Sequence, residues 1–301
     1  MGARSMRVIL NGSRAPRRSI DVALAAMRHR GHQIDVRVTG RGAGAAALAR
    51  EAVEERIDVV VAGGGDGTVN EVANGILAAS DNPQVTMAVL PLGSSNDFAR
   101  GCEVPLDNPT KALYLAATAE PRAIDVARVN QGYFLNAVIG GLGAAATFRT
   151  SEKMKQMLGG AAYSVSGFLS ALRPSAYPVR LRTSDGVEEW PMTFVAIANG
   201  KWAGGVPIAP RAALCDGLLD LLLVPAVSLA KLPVLLRDFR AAGRRDPLFV
   251  RRQQREWVEI DTLGTLPVSP DGERLGDSKL RIEVLKQRLP FALPPASMVC
   301  Q

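Results

Sequence analysis

The segment Val59-Val60-Val61-Ala62-Gly63-Gly64-Gly65-Asp66-Gly67-Thr68-Val69-Asn70-Glu71-Val72 opens as an unbroken apolar run, passes through three consecutive glycines and continues with helical spacing. Backbone without Cβ atoms can approach a bulky anion closely, and N–H groups at a helix start can donate to phosphate oxygens. A plain turn would need neither the glycine triplet nor the cluster of Asp66, Thr68 and Asn70 behind it. The segment therefore reads as a phosphate-binding strand–loop–helix. It is not a GxxxxGK[ST] loop, and it does not carry the dinucleotide G-x-G-x-x-G in its usual place. The alternation Gly40-Arg41-Gly42-Ala43-Gly44 reads as a helix-entry loop, and the protein-kinase HRD set is absent.

Outward from this segment the pattern repeats. Arg7–Asn11, Ile34–Thr39, Asp58–Ala62 and Thr86–Leu90 read as strands. Ser19–Arg30, Gly42–Glu55, Asn70–Ala79 and Pro109–Ala117 read as helices. Alternation of this kind predicts a parallel sheet covered on both faces. A second loop, Pro91-Leu92-Gly93-Ser94-Ser95-Asn96-Asp97-Phe98-Ala99-Arg100, follows the strand at Thr86–Leu90. Parallel strands end on one side, so the two loops should meet where ligands bind in such sheets. Asn96 and Asp97 equally suit the cap of the next helix.

After Glu120-Pro121 the pattern turns to strands. Ile124–Val129, Phe134–Ile139, Val179–Thr183, Thr193–Ala198, Leu218–Val224, Trp257–Asp261 and Lys279–Leu285 are the segments, with helices near Ser151–Leu172 and Leu229–Ala242. The expected fold is α/β plus mainly β in two domains. Residues 1–122 form a parallel-sheet α/β nucleotide-binding domain, and residues 123–301 a β-sandwich-like domain, with about 290–301 free to return to the first. The active site is expected in the cleft between them. Asp271-Gly272-Glu273 lies in a turn of the second domain, where Asp-Gly is also a favoured hairpin dipeptide.

Composition narrows the partners. The 301 residues are 47% hydrophobic and 22% charged, enough for two cores and too structured for long disorder. A formal charge of +7 favours anionic partners. The basic residues are scattered apart from Arg244-Arg245 and Arg251-Arg252 with Arg255, without interleaved aromatics, so nucleic acid is not expected. Cys102, Cys215 and Cys300 read as three separate thiols in a reducing cytoplasm, with no zinc spacing. His29 and His32, the only histidines, read as solvated surface residues and leave little for a Ser-His-Asp mechanism. No signal peptide, lipid anchor or spanning segment is read.

Taken together, GGGDGTVNEV at 63–72, PLGSSNDFAR at 91–100, Asp216-Gly217-Leu218-Leu219-Asp220 and Asp271-Gly272-Glu273 resemble the diacylglycerol kinase catalytic-domain family, and within it the bacterial YegS-like lipid kinases. The GGDG core alone is shared with NAD kinases. The resemblance implies ATP bound by Thr39, by Gly65 to Glu71 and by Ser94, where the family carries threonine. It implies Mg²⁺ held by the Asp216 carboxylate and the carbonyls of Ala213 and Leu218, with Asp271 as proton acceptor and Glu273 beside it. The implied activity is phosphorylation of a lipid hydroxyl, phosphatidylglycerol or diacylglycerol, in phospholipid metabolism. Contact with the anionic inner face of the membrane would be peripheral, through the basic pairs. An NAD kinase-like phosphotransferase and a non-catalytic nucleotide or lipid sensor are the alternatives.

Overall fold

The computed structural model describes residues 2–12, 18–40, 44–141, 176–226, 229–231, 234, 237–238, 249–262, 266–272, 275 and 278–300. The helix expected near Ser151–Leu172, most of the one near Leu229–Ala242, the pair Arg244-Arg245 and Glu273 lie outside the described residues. The chain divides into two compact units. One holds residues 1–126, 213–217 and 285–301, the other 127–212 and 218–284.

In the first unit, β1 (Ser5–Leu10), α1 (Arg18–His29), β2 (Gln33–Val38), α2 (Ala45–Glu54), β3 (Val59–Gly64), α3 (Asp66–Ala79), β4 (Thr86–Pro91), α4 (Asp97–Gly101) and α5 (Pro109–Thr118) follow in order. The strands are parallel in the order β4-β3-β1-β2. β3 and β4 are buried along their whole length, which is why they read as continuous apolar runs. α1 buries Ile20, Ala23, Leu24 and Met27, the i, i+3, i+4, i+7 stripe of an amphipathic helix. α5 starts at Pro109 behind Asn108, whose side chain accepts from Lys111 N. α1 packs with α5, and α2 with α3. The latter pair is close: a Cβ on Gly75 would lie 2.2 Å from the Ala46 carbonyl oxygen. α3 begins at Asp66, a full turn before the expected Asn70, because helix and glycine loop join without a spacer.

One cation is buried in this unit. Arg7 on β1, 1% exposed, donates to Asp35 Oδ2 on β2 at 2.8 Å and to Glu55 Oε2 beyond α2 at 2.6 Å, with Glu51 3.9 Å away. Burial alone would raise the pKa of Asp35; hydrogen bonds from Arg37 and Arg7 outweigh it and hold the carboxyl below its ordinary value.

The second unit is antiparallel. Its strands are the later part of β5 (Pro121–Val129), β6 (Gly132–Phe134), β7 (Ala137–Gly141), β8 (Tyr177–Thr183), β9 (Gly186–Ala198), β10 (Leu219–Pro225), β11 (Arg251–Arg255), β12 (Trp257–Asp261), β13 (Val268–Pro270) and the first half of β14 (Lys279–Ala292). β9 is long enough to pair with different strands along its length. Its early residues pair with β8, its later ones with β7 and β10. Val138, Leu181, Ile197, Leu221, Ile260 and Ile282, contributed by six strands, pack in one buried cluster as a sandwich requires. The segment expected as one strand at Phe134–Ile139 is two, β6 and β7, interrupted at Leu135-Asn136.

The expectation of three separate thiols is overturned. Cys215 and Cys300 form a disulfide with Cα atoms 4.9 Å apart, and Cys102 is a buried thiol outside that bridge. Eighty-five residues separate the partners, a distance at which spacing carries no pairing signal. The reducing compartment inferred from unpaired thiols therefore loses its basis. His32 is also more engaged than expected, its Nδ1 accepting from Arg4 N at 3.3 Å. Alkylation of the unfolded protein should label one cysteine without reductant and three after reduction; three labelled at the outset would show the bridge to be absent.

Candidate active site

Parallel strands bring the C-terminal ends of β1, β2, β3 and β4 to one edge, and a short network joins the segments that leave them. Asn11 N donates to Gly63 O at 2.9 Å, and Asn11 Nδ2 to Thr68 Oγ1 at 3.1 Å. Thr39 N donates to Leu10 O, and Thr39 Oγ1 accepts from Gly12 N at 3.1 Å. β1 has β2 on one side and β3 on the other, so the loops after β1 and β3 leave a topological switch point, where crevices for ligands form. Asn11 was missed in the sequence; its place directly behind a buried strand, like that of the glycine triplet, was the available signal.

The two glycine loops touch. A Cβ on Gly93 would lie 2.5 Å from Gly65 Cα, and one on Gly64 would lie 2.4 Å from Thr68 Oγ1. Leu92 N donates to Gly64 O, continuing the β3–β4 ladder into the loops. Asn96 adopts left-handed backbone at φ 49° and binds Gly93 twice: its Oδ1 accepts from Gly93 N at 2.7 Å, and its Nδ2 donates to Gly93 O at 3.0 Å. It closes the loop instead of capping α4. Asp66 Oδ1 accepts from Phe98 N at 3.0 Å and ties the start of α3 to α4.

Gly65 is the N-cap of α3 and supplies no side-chain cap. The first-turn amides thus have no side-chain acceptor of that kind, and the positive end of a 14-residue helix faces the glycine loop. Within the predicted set, Gly67 and Ser94 are exposed, whereas Val69 puts its side chain in the core. Asn70 Oδ1 accepts from Asn74 Nδ2, and Glu71 Oε2 accepts from Ala45 N, which links α3 to the start of α2.

Ala213 and Asp216 stand in a loop fixed from below. Asp125, fully buried, accepts from Gly217 N and from Gln287 N, both at 2.7 Å, and both donors have positive φ. Asp125 N donates to Leu214 O, Leu214 N to Val299 O, and the Cys215–Cys300 bridge holds the same turn. Asp216 is exposed on this loop. Among the described residues no cluster of three or more His, Cys, Asp or Glu stands ready for a metal.

Asp271 follows β13 with φ 42°, and Gly272 has φ 93°, the paired positive values of a tight hairpin turn. Its carboxylate is nevertheless engaged. Leu135 N donates to Oδ2 at 2.9 Å, Ala137 N to Oδ1 at 2.9 Å, and Asn136 N to both, at 3.1 and 3.3 Å. The turn aims the carboxylate at these amides. The strand break at Leu135-Asn136 has its reason here.

The described arginines of the basic cluster are already occupied. Arg251 lies 3.4 Å over the Trp190 ring and 3.7 Å from Glu188 Oε2, Arg255 pairs with Asp185, and Arg252 donates to Ile208 O at 3.3 Å. Burial lowers the pKa of Arg252, with Asp220 opposing and Arg211 adding to the shift.

Comparison with known proteins bears on both units. The model of the diacylglycerol kinase catalytic domain matches residues 5–129, and that of the YegS C-terminal NAD kinase beta sandwich-like domain matches residues 136–293. A protein of Chromohalobacter salexigens named probable lipid kinase YegS-like is 39% identical over 292 residues, covering 96% of this chain and 93% of its own. A protein of the same name from Shewanella frigidimarina is 37% identical, covering 96% and 94%. A solved structure of a diacylglycerol kinase from Bacillus anthracis str. Sterne has a TM-score of 0.74 at 22% identity, covering 97% of this chain and 98% of its own, and so shares its fold.

Gly93→Ala tests the contact of the two glycine loops. The new methyl would meet backbone that has no room to yield, and displacements near 1 Å at such sites cost up to about 10²-fold in rate. Calorimetric titration should show weakened nucleotide binding; an affinity equal to the parent would refute the loop geometry.

Proposed function

The chain belongs to the YegS-like branch of the diacylglycerol kinase catalytic-domain family, and from that premise we propose that it transfers the γ-phosphoryl group of ATP, with Mg²⁺, to a lipid hydroxyl. A kinase acting on lipid is what the family membership carries. The observation supporting nucleotide use is the contact of Gly65 with Gly93 at the uncapped start of α3.

The phosphates would lie against the amides of Gly65 to Thr68, with Thr39 and Ser94 as flanking hydroxyls. Backbone donors suit this work because they are placed by the fold and need no reorganisation when charge shifts on the phosphate oxygens. The Asp216 carboxylate and the carbonyls of Ala213 and Leu218 would hold Mg²⁺, and the anchoring of this loop by Asp125 supports that assignment. When bound, the cation offsets charge on the phosphate oxygens.

Asp271 would take the proton of the acceptor hydroxyl. The amides of Leu135, Asn136 and Ala137 hold its carboxylate in a fixed orientation. Little of that proton need move early, because phosphoryl transfer passes through a loose transition state. Glu273, outside the described residues, is proposed as its neighbour in that role.

The acceptor is proposed to be a glycerolipid, phosphatidylglycerol or diacylglycerol, met by peripheral contact with an anionic membrane. No helix among the described residues is long and apolar enough to cross one. With Arg251 and Arg255 committed to Glu188 and Asp185, the stronger candidates for that contact are Arg244 and Arg245. Attraction of this kind weakens with salt, so sedimentation with phosphatidylglycerol vesicles should decline from 50 to 500 mM NaCl. Retention at both concentrations would contradict it.

Asp271→Asn should lower turnover by about 10²–10⁴-fold. The assay supplies ATP and Mg²⁺ with phosphatidylglycerol, diacylglycerol or NAD and identifies the phosphorylated product by mass. Phosphorylated NAD with no lipid product would move the chain to the NAD kinase-like alternative. Full lipid turnover by Asp271→Asn would remove that residue from the chemistry.

A further inference from the structure

The peptide groups that hold Asp271 are themselves held, chiefly by Asn199 through its side chain and its backbone. Asn199, at the end of β9, is fully buried. Its Nδ2 donates to Leu135 O at 3.0 Å, and its backbone N donates to Asn136 O at 2.8 Å, joined there by Gly200 N at 2.9 Å. Ala137 O accepts from Asp271 N at 3.0 Å. The accounting for residues 135 to 137 is therefore complete: every N–H goes to the Asp271 carboxylate, and every carbonyl goes to Asn199, Gly200 or Asp271.

The direction of these bonds matters. Leu135 O and Asn136 N–H belong to one peptide group, and Asn136 O and Ala137 N–H to the next. Donation to the carbonyl end of an amide polarises it and strengthens the N–H at its other end. Two parallel relays thus run from Asn199, through a peptide group, to the oxygens of Asp271.

We propose that Asn199 is a positioning residue for Asp271, fixing and polarising the 135–137 peptide groups that orient its carboxylate for the acceptor hydroxyl. The proposal rests on the reading of Asp271 as proton acceptor and extends it to a residue on another strand. Gly200 belongs to the same device. A Cβ there would lie 3.1 Å from Asn136 Oδ1 and 3.2 Å from Leu135 O, so any side chain would press on the relay from the side Asn199 occupies.

A double-mutant cycle tests this. Asn199→Ala should lower kcat for lipid phosphorylation by about tenfold, the effect of losing one well-placed hydrogen bond, with KM for ATP unchanged. In the Asp271→Asn background the same substitution should cost nothing further, because the group it acts through is already disabled. Gly200→Ala, which leaves the Asn199 side chain in place, should behave alike and serves if Asn199→Ala does not fold. Equal losses from Asn199→Ala, or from Gly200→Ala in its stead, in both backgrounds, or an unchanged kcat, would overturn the role. Full activity of Asp271→Asn alone would instead strike the assignment of the proton acceptor, so the two failures are separable.

Discussion

Two glycine backbones, at Gly65 and Gly93, lie so close that a side chain on Gly93 would collide with Gly65 and one on Gly65 would press on Gly93. The rest of the first unit can be understood from that approach. It requires β3 and β4 to be neighbours in register, which the ladder from Val59↔Thr86 to Gly64↔Pro91 provides. It requires each loop to be closed from within, as Asn96 does by binding both backbone groups of Gly93. It also requires α3 to begin at once, so that its free amides stand beside the contact and not a turn away. The proposed affinity for phosphate would be a property of where backbone is allowed to be.

What the sequence revealed followed from what the chain must bury. β3 and β4 were legible because both faces are covered, and α1 because its apolar residues repeat every three or four positions. The glycine loop was legible because few structures need three Cβ-free residues in a row. β11 was not, since Arg-Arg-Gln-Gln-Arg is an edge strand whose pairing with β10 leaves no apolar pattern. β13 is three residues ending in proline, too short for any period. β14 runs well past Leu285, because Gln287 takes φ 48° and the strand resumes as Leu289, Phe291 and Ala292.

The candidate site was legible to a different depth. Carboxylates at Asp66, Asp216 and Asp271 could be picked out by their turns, but their partners are distant in sequence and mostly backbone. Asp125 reaches Gly217 and Gln287, Asp271 reaches residues 135 to 137, and Asn199 supports those from a third strand. Backbone acceptors and donors leave no mark in composition. The break at Leu135-Asn136, inside what reads in the sequence as one continuous strand, shows only when the groups it diverts are counted.

Arg7 has a consequence of another kind. Its guanidinium serves Asp35 on β2 and Glu51 and Glu55 in and after α2, so three separate positions share one buried charge. Replacement of the acids one by one would leave a buried cation with ever less to offset its desolvation, whereas the acids, each more than a third exposed, could fall back on water if the arginine were lost. Drift at these four positions should therefore be ordered, with the acids changing freely only in lineages that have already given up the arginine.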